Sequence, residues 1–174
     1  MTFKLLSKAA LALAAMGLCL SAASAAYKSE YKLSVVPGAS SGWGQTATFF
    51  ADCVRQKSNG RINIKPYFGA QLMAGKQTSE LLLVRRGAID FALASTINWS
   101  PQIKELNLTA LPFFVANNPD RYKAIDAIEA GKSGKMLEKA IEKTGVKFLG
   151  WSENGFRELT TSKGPIEKPE DMKG

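Results

Sequence analysis

The sequence of 174 residues contains no histidine. That absence excludes Ser-His-Asp and Cys-His catalysis, zinc sites with histidine ligands, and the side chain that usually moves protons near pH 7. Cysteine is almost as scarce, because Cys19 and Cys53 are too few for a disulfide framework. The short run Gly42-Trp43-Gly44 has the wrong spacing for a nucleotide-binding loop. The sequence therefore predicts neither a metal site nor a cofactor.

The N-terminal segment predicts export from the cytoplasm. Lys4 and Lys8 precede an apolar core over residues 9–20, and Ala23-Ser24-Ala25 has the small-x-small pattern of a cleavage site. We therefore expect residues 1–25 to be a secretory signal peptide. A transmembrane anchor is the alternative interpretation, but the apolar run is short for a bilayer span and ends in small residues.

Removal of this segment changes the charge and the cysteine count. The full sequence has a formal charge of +8, and loss of the two lysines lowers it to +6. Cys53 then remains as the single cysteine, and Leu18 stands where lipoprotein processing at Cys19 would need a small residue. The remaining basic residues are scattered without interleaved aromatic residues, so we expect no nucleic-acid partner and no membrane span in the mature chain.

Strands and helices alternate through the first part of the mature chain. Period-two alternation or short apolar runs predict strands at residues 31–36, 61–65 and 88–94. Helical spacing of apolar residues predicts helices over 47–54 and 77–86. Strand, helix, strand, helix, strand predicts a parallel sheet with helical crossovers, hence an α/β fold.

Three loops follow these strands, at residues 37–44, 67–76 and 95–101. In a parallel sheet the carboxyl ends of the strands meet at one edge, and ligands bind there. We therefore expect these loops to lie together and to form the ligand site.

The second part of the chain predicts two more helices and a strand. Asn118 is expected to cap a helix over residues 119–128, and Lys135 to Lys143 is expected to form another. Residues 146–151 read as a strand. Phe113 and Phe114, in an apolar segment broken by proline, are expected in the core.

Six short stretches occur in an order and spacing that form a family pattern. They are KSNGRI at 57–62, QL at 71–72, GAID at 87–90, LPFF at 111–114, WSENGFR at 151–157 and PEDMKG at 169–174. Through them the chain, from about residue 31 to its end, resembles the periplasmic substrate-binding proteins of TRAP (tripartite ATP-independent periplasmic) transporters, of the C4-dicarboxylate-binding type.

The resemblance implies a two-lobed α/β protein that closes around its ligand. We therefore expect the fold of a periplasmic binding protein of type II: one lobe with a mainly parallel sheet, and an incomplete second lobe. Residues 26–150 would form the first lobe. Residues 151–174 would hold a hinge strand and the start of a truncated second lobe, because family members are much longer than this chain.

The resemblance also implies an anion-binding arginine. In the family, the Asn-Gly-x-Arg stretch supplies an arginine that pairs with the ligand carboxylate, and here that residue is Arg157. A guanidinium suits this role because it is planar, always charged and able to bind a carboxylate bidentately. Asn154 would shape the turn that presents Arg157, and Trp151 would wall the pocket. The structural alternatives are a surface salt bridge for Arg157 and a core position for Trp151.

The loops after the predicted strands carry further candidate contacts. Their polar or aromatic side chains could meet a ligand, or they could simply belong to ordinary loops. The candidates are Trp43, Ser95, Thr96, Asn98 and Trp99.

The loop after the second predicted strand departs from the family pattern. After Gln71 the family commonly continues with a glycine, acids and an arginine, whereas this chain has Met-Ala-Gly-Lys over residues 73–76. Lys76 keeps the positive charge but lacks the planar fork, so any contact there would be a point charge.

The expected function is capture of a small organic acid in the periplasm of a Gram-negative bacterium, for delivery to the membrane subunits of a TRAP permease. No catalytic constellation is visible. With one lobe incomplete, the chain by itself is expected to bind carboxylates weakly or not at all, and a non-binding remnant is an alternative. A secreted α/β hydrolase is another, which without histidine would need a Ser-Lys pair such as Ser162-Lys163. Adjacent residues in an extended segment point to opposite sides, which opposes that pairing.

Overall fold

The computed structural model describes residues 27–153, 155, 160–162 and 164–173. The predicted signal peptide, Asn154, Arg157 and Lys163 lie outside the described residues. Within the described ranges no helix has the length and apolar character needed to cross a membrane. The same ranges contain no group of three or more acidic or cysteine side chains that could hold a metal ion.

The described elements alternate as the sequence predicts. The strands are β1 (Tyr31–Val35), β2 (Ile64–Tyr67) and β3 (Phe91–Leu93), and the α-helices are α1 (Gly42–Lys57), α2 (Glu80–Arg85), α3 (Thr96–Trp99), α4 (Arg121–Ala130) and α5 (Lys132–Glu142). Short 3₁₀ helices occupy Gln71–Met73, Gln77–Ser79, Lys104–Ala110 and Pro169–Met172.

The three strands form a parallel sheet in the order β2-β1-β3. Tyr31 is opposite Ile64 and Leu33 is opposite Phe91. β1, the first strand in the chain, is therefore the central strand. The predicted α/β fold with a parallel sheet is confirmed.

Two hydrophobic clusters flank the sheet. Leu33 and Val35 share one face of β1, because side chains two apart in a strand point the same way, and they pack with α1. Ser34 points to the other face, toward α2. The second cluster joins α2, α3, α5 and the 3₁₀ helix at 104–110; its buried members are Leu81, Trp99, Ile103, Leu106, Leu137, Ala140 and Ile141.

β2 lies three residues later than the predicted strand at 61–65 and includes Pro66. The predicted end of this strand at residue 65 is wrong, because Pro66 and Tyr67 continue it. Proline lacks an N–H and is tolerated on an edge strand, and β2 is at the edge of the sheet. Tyr67 is therefore the last residue of β2 and does not belong to the predicted loop at 67–76.

Helices α4 and α5 join without a linker at Gly131, which is the C-cap of the first and the N-cap of the second. The predicted cap Asn118 is wrong, because Asp120 caps α4 and accepts a hydrogen bond from the Lys123 N–H at 3.0 Å. The next helix begins at Lys132, three residues before the predicted start, and Gly134 lies inside it. A β-carbon on Gly134 would lie 2.5 Å from the Glu129 carbonyl carbon, so the helices are in backbone contact there.

Two further expectations are wrong. Phe113 is 88% exposed and Phe114 is 41% exposed, so neither belongs to the core. The side chains of Val146 and Phe148 pack against the second hydrophobic cluster, but residues 146–151 form no strand pairing in the described chain. The alternation of apolar residues correctly predicts which side chains are buried. A strand also needs a neighbouring strand to pair with, which this pattern does not indicate.

Candidate functional site

A large cleft opens beside the carboxyl ends of β1 and β3. Its volume is about 1380 Å³, and its lining comes from β3 with the turn after it, the start of α1, helices α4 and α5, and residues 146–151. The lining includes five residues that the sequence singles out: Trp43, Ser95, Thr96, Trp99 and Trp151. The sequence predicts that the loops after all three strands form the site. Residues of the loops at 37–44 and 95–101 line this cleft, whereas no residue of the loop at 67–76 does.

The first loop is held tightly against the start of α1. Ser41 caps the helix, accepting a hydrogen bond from the Gly44 N–H at 3.0 Å while its hydroxyl donates to the Gly38 carbonyl at 2.6 Å. A β-carbon on Gly44 would lie 2.6 Å from the Gly38 carbonyl oxygen, so only glycine fits there. This packing fixes the direction of Trp43. Its side chain is half-buried, packs against the cluster that contains Leu33 and Val35, and lines the cleft.

The turn after β3 presents the polar part of the cleft. Ser95 precedes α3 and Thr96 begins it, and both side chains are half-buried in the cleft lining. The hydroxyls of Thr96 and Thr109 lie 2.8 Å apart, which ties the turn to the 3₁₀ helix at 104–110. Hydroxyls of this kind can donate to or accept from a ligand, because their hydrogen rotates.

Trp99 is buried at 8% exposure and its indole N–H donates to Glu80 at 3.1 Å. The indole therefore contributes mainly a wall of the cleft, and its polar atom already has a protein partner. Direct contact between Trp99 and a ligand stays a prediction.

Trp151 also lines the cleft. Its ring packs on Phe148 with centroids 4.8 Å apart, and it contacts the second hydrophobic cluster. The indole nitrogen Nε1 is buried and has no hydrogen-bond partner in the described part of the molecule. A buried donor without an acceptor is costly.

Two of the predicted contacts lie outside the cleft lining. Asn98 is half-buried and donates through Nδ2 to the Gln77 side-chain oxygen at 2.8 Å, so it braces α3 against the preceding loop. Lys76 is exposed in the loop after β2. The described residues therefore do not bring Lys76 to the site, and Arg157 and Asn154 are outside the described residues.

The charge on the cleft wall is uneven. The lining cations in the described chain are Arg121, at the start of α4, and Lys147, which forms an ion pair with Glu142. Burial raises the pKa of Glu129 in the middle of the same wall, and the nearby carboxylates of Asp126 and Glu153 raise it further. The carboxylates around Glu129 therefore disfavour an anionic ligand at that part of the cleft lining.

Sequence reasoning missed two residues of this region. Arg121 reads as an ordinary surface cation, because only the packing of α4 brings it to the cleft. Glu80 is completely buried, although it begins the run Glu-Leu-Leu-Leu-Val, where an acid would be expected at the exposed start of a helix. Its position opposite Ser34 in the middle strand is visible only in the fold.

The parallel sheet, its helical crossovers and the open cleft at the carboxyl edge define one α/β lobe of a solute-binding protein. Residues 33–174 match the family described as bacterial extracellular solute-binding protein, family 7 (DctP). The chain belongs to this family, and the predicted resemblance is confirmed. Members of the family are solute-binding proteins rather than enzymes.

Solved structures share the fold. A TRAP periplasmic solute-binding protein from Ralstonia eutropha H16, with bound (S)-2-acetolactate, is 55% identical and superposes with a TM-score of 0.80 over 85% of this chain and 46% of that one. A homologue from Chromohalobacter salexigens with bound D-glucuronate is 28% identical, with a TM-score of 0.72 over 83% of this chain and 46% of that one. The predicted type II lobe is confirmed by these likenesses.

Curated relatives are similar over less of their own length. The C4-dicarboxylate-binding protein DctB of Bacillus subtilis is 30% identical over 144 residues, which is 83% of this chain and 39% of that protein. The 2,3-diketo-L-gulonate-binding periplasmic protein YiaO of Escherichia coli is 30% identical over 125 residues, 72% of this chain and 36% of that protein. The chain thus spans less than half the length of these relatives.

Proposed function

We propose that this chain supplies one face of a binding site for a small organic acid, in a periplasmic protein that delivers the ligand to the membrane subunits of a TRAP permease. The observation that carries the proposal is the cleft at the carboxyl ends of β1 and β3, where Trp43, Ser95 and Thr96 come together. Residues 26–150 would form the lobe that carries this face. Residues 151–174 would lead into a second lobe.

The ligand class follows from the chemistry of the cleft and from the relatives. Ser95 and Thr96 offer rotatable hydroxyls, and Arg121 adds positive charge to the cleft lining. Relatives were solved with acetolactate and glucuronate, both of which carry a carboxylate. We infer that a carboxylate is the common part of this chain's ligand.

Titration of the isotope-labelled chain with succinate, D-glucuronate and (S)-2-acetolactate tests this function. We expect shifts in the NMR resonances of Ser95, Thr96 and the Trp43 and Trp151 indoles, with dissociation constants in about the millimolar range, equivalent to about 4 kcal/mol. The affinity is weak because a single lobe supplies only part of the contacts. D-Glucose, which lacks the carboxylate, is the control and should leave these resonances unchanged.

Two results would contradict the proposal. One is a folded chain whose cleft resonances do not respond to any of the three acids. The other is conversion of succinate or glucuronate into a product, which would instead indicate an enzyme.

Arg157→Lys is expected to remove the response to carboxylates. The resemblance assigns this arginine to the ligand carboxylate, and lysine keeps the charge while losing the two parallel N–H donors. Losing a hydrogen bond to a charged group costs about 1.5–3 kcal/mol, which weakens binding at least tenfold and takes a millimolar affinity out of the measurable range. The measurement is the same titration.

Arg86→Lys is the matched control, because Arg86 is exposed at the end of α2. It should leave the response to the acids unchanged. An unaltered titration for Arg157→Lys would show that Arg157 has no part in binding.

A further inference from the structure

Glu80 is an acid in an unusual position. It is the first residue of α2 and its exposed fraction is 0%. Its carboxylate accepts hydrogen bonds from the Ser34 hydroxyl at 2.6 Å and from the Trp99 indole N–H at 3.1 Å. It forms no salt bridge among the residues that the structure describes. Acids are rarely buried completely without a cation, so this position calls for a role.

The two partners of Glu80 belong to different elements. Ser34 lies in β1, in the middle of the sheet, and Trp99 is the last residue of α3. α3 is only four residues long and receives no side-chain cap from Ser95, so it cannot be stable by itself. The Glu80 carboxyl is therefore the polar anchor that holds α3 to the central strand.

The anchored turn includes the polar wall of the cleft. Ser95 and Thr96 line the cleft at the start of α3, and Trp99 is anchored at its end. Thr96 and Asn98 bond to Thr109 and Gln77 in the neighbouring loops, so Glu80 is the side chain that links α3 to β1. Loss of this link would shift α3 relative to the sheet and displace both hydroxyls. The other face of the cleft, at Trp43, depends on the Ser41 cap instead and would keep its position.

The bonding pattern is compatible with either protonation state of Glu80. A serine hydroxyl can donate or accept, whereas an indole N–H can only donate. When Glu80 is neutral, its O–H can donate to Ser34 Oγ while its other oxygen still accepts from Trp99. Glutamine can make the same two bonds, with its amide group donating to Ser34 and its carbonyl accepting from Trp99. Leucine can make neither.

We propose that Glu80 is a positioning residue for the binding site: its buried carboxyl fixes the Trp99 indole on the end of β1 and so holds Ser95 and Thr96 in place for the ligand. This inference rests on the proposed function and adds to it a residue that does not touch the ligand. If Glu80 had only a structural role, its substitution would lower the stability of the protein but would change the ligand response at Trp43 and at Ser95 equally.

Glu80→Gln and Glu80→Leu test the role of this residue in the full chain, titrated with D-glucuronate. In Glu80→Gln the Trp99 indole N–H should keep its slow solvent exchange, and Ser95 and Thr96 should still respond to the acid. In Glu80→Leu the indole resonance should move and the response at Ser95 and Thr96 should be lost, while the response at Trp43 persists. If Glu80→Leu does not fold, Trp99→Phe removes the same donor and should give the same selective loss.

Several outcomes would overturn the positioning role. One is an unchanged response at Ser95 and Thr96 in folded Glu80→Leu or in Trp99→Phe. Another is an equal loss of response at Trp43 and at Ser95 in either of these variants. The third is a lost response at Ser95 and Thr96 in Glu80→Gln. If the wild-type chain responds to no acid, the proposed function fails. The exchange of the Trp99 indole N–H in Glu80→Gln and Glu80→Leu then still decides whether Glu80 anchors the turn.

The pH dependence of stability gives a second readout. Burial raises the pKa of Glu80 above 4.5, against the smaller lowering effects of Ser34 and Trp99. The elements packed on the carboxyl present these two neutral groups, from β1 and α3. A raised folded-state pKa means that stability is greatest below the unfolded pKa and falls as pH rises toward and through the folded pKa. Glutamine does not titrate, so Glu80→Gln should not lose this stability as pH rises. The melting temperature of the variant should therefore exceed the wild-type value by a margin that grows with pH until the folded-state pKa is passed. Parallel profiles of the two proteins would contradict a buried, titrating Glu80.

Discussion

Replacing Gly134 with alanine is expected to destabilise the protein strongly, although alanine is the better helix former. Gly134 lies within α5 at its crossing with α4. A β-carbon there would lie 2.5 Å from the Glu129 carbonyl carbon and 2.7 Å from the Glu129 Cα. Both atoms belong to the backbone of α4, so they cannot move aside as a flexible side chain would. The helices would have to separate at the point where Gly131 joins them without a linker.

The expected loss is about 3 kcal/mol, at the upper end of the usual cost of overpacking. That corresponds to a fall in melting temperature of about 10 °C for a domain of this size, and thermal unfolding followed by circular dichroism measures it. Gly42→Ala is the control, since a β-carbon at Gly42 meets nothing within 4 Å in the first turn of α1. It should change stability by less than about 0.5 kcal/mol. Equal melting temperatures for the two variants would mean that α4 and α5 are not in backbone contact.

Leu81→Ala is the second substitution with a large expected effect. Leu81 is completely buried in the cluster that joins α2 to Trp99, Leu106 and Leu137. Truncation removes buried apolar surface and leaves a cavity, which costs about 2–5 kcal/mol for leucine. Since domains of this kind are stable by only about 5–15 kcal/mol, a large part of the total would be lost. Urea denaturation followed by tryptophan fluorescence gives the free energy of unfolding.

Leu82 provides the comparison for Leu81. It is the next residue along α2, but its side chain is 37% exposed. Leu82→Ala should therefore cost less than about 1 kcal/mol, because a partly solvated side chain loses less transfer free energy and leaves no closed cavity. Similar losses for the two variants would show that α2 is rotated from the described orientation.

The period of the apolar residues predicted the strands and helices well, because local patterns depend on which face of an element is buried. It could not predict how each element is paired. Pro66 lies inside β2 because β2 happens to be an edge strand, and the order of strands is a property of the whole sheet. Residues 146–151 alternate as a strand does, but pairing requires a free neighbour in register, which no local pattern encodes.

The part of the site that could be predicted from the sequence is the part formed by loops that directly follow strands. Trp43, Ser95 and Thr96 meet in one cleft because loops after parallel strands share an edge. Glu80 was not predictable, because its burial depends on Ser34 and Trp99, which are distant in sequence. Phe113 and Phe114 were predicted to be buried and are exposed, which is the reverse of the case of Glu80. Hydrophobicity predicted burial, but the backbone at Phe113 has a positive φ of 59° and leaves its ring exposed.

The central position of β1 determines the order in which the sheet can form. β1 is the first strand of the described chain, and its two neighbours are β2 and β3, which follow it along the sequence. No strand pair can exist until residues up to Tyr67 are available, and the three-stranded sheet requires residues up to Leu93. Pairing over such separations requires closure of long loops, which makes the assembly of parallel sheets slow. The central strand therefore has no sheet partner until distant parts of the chain reach it, and the sheet forms late.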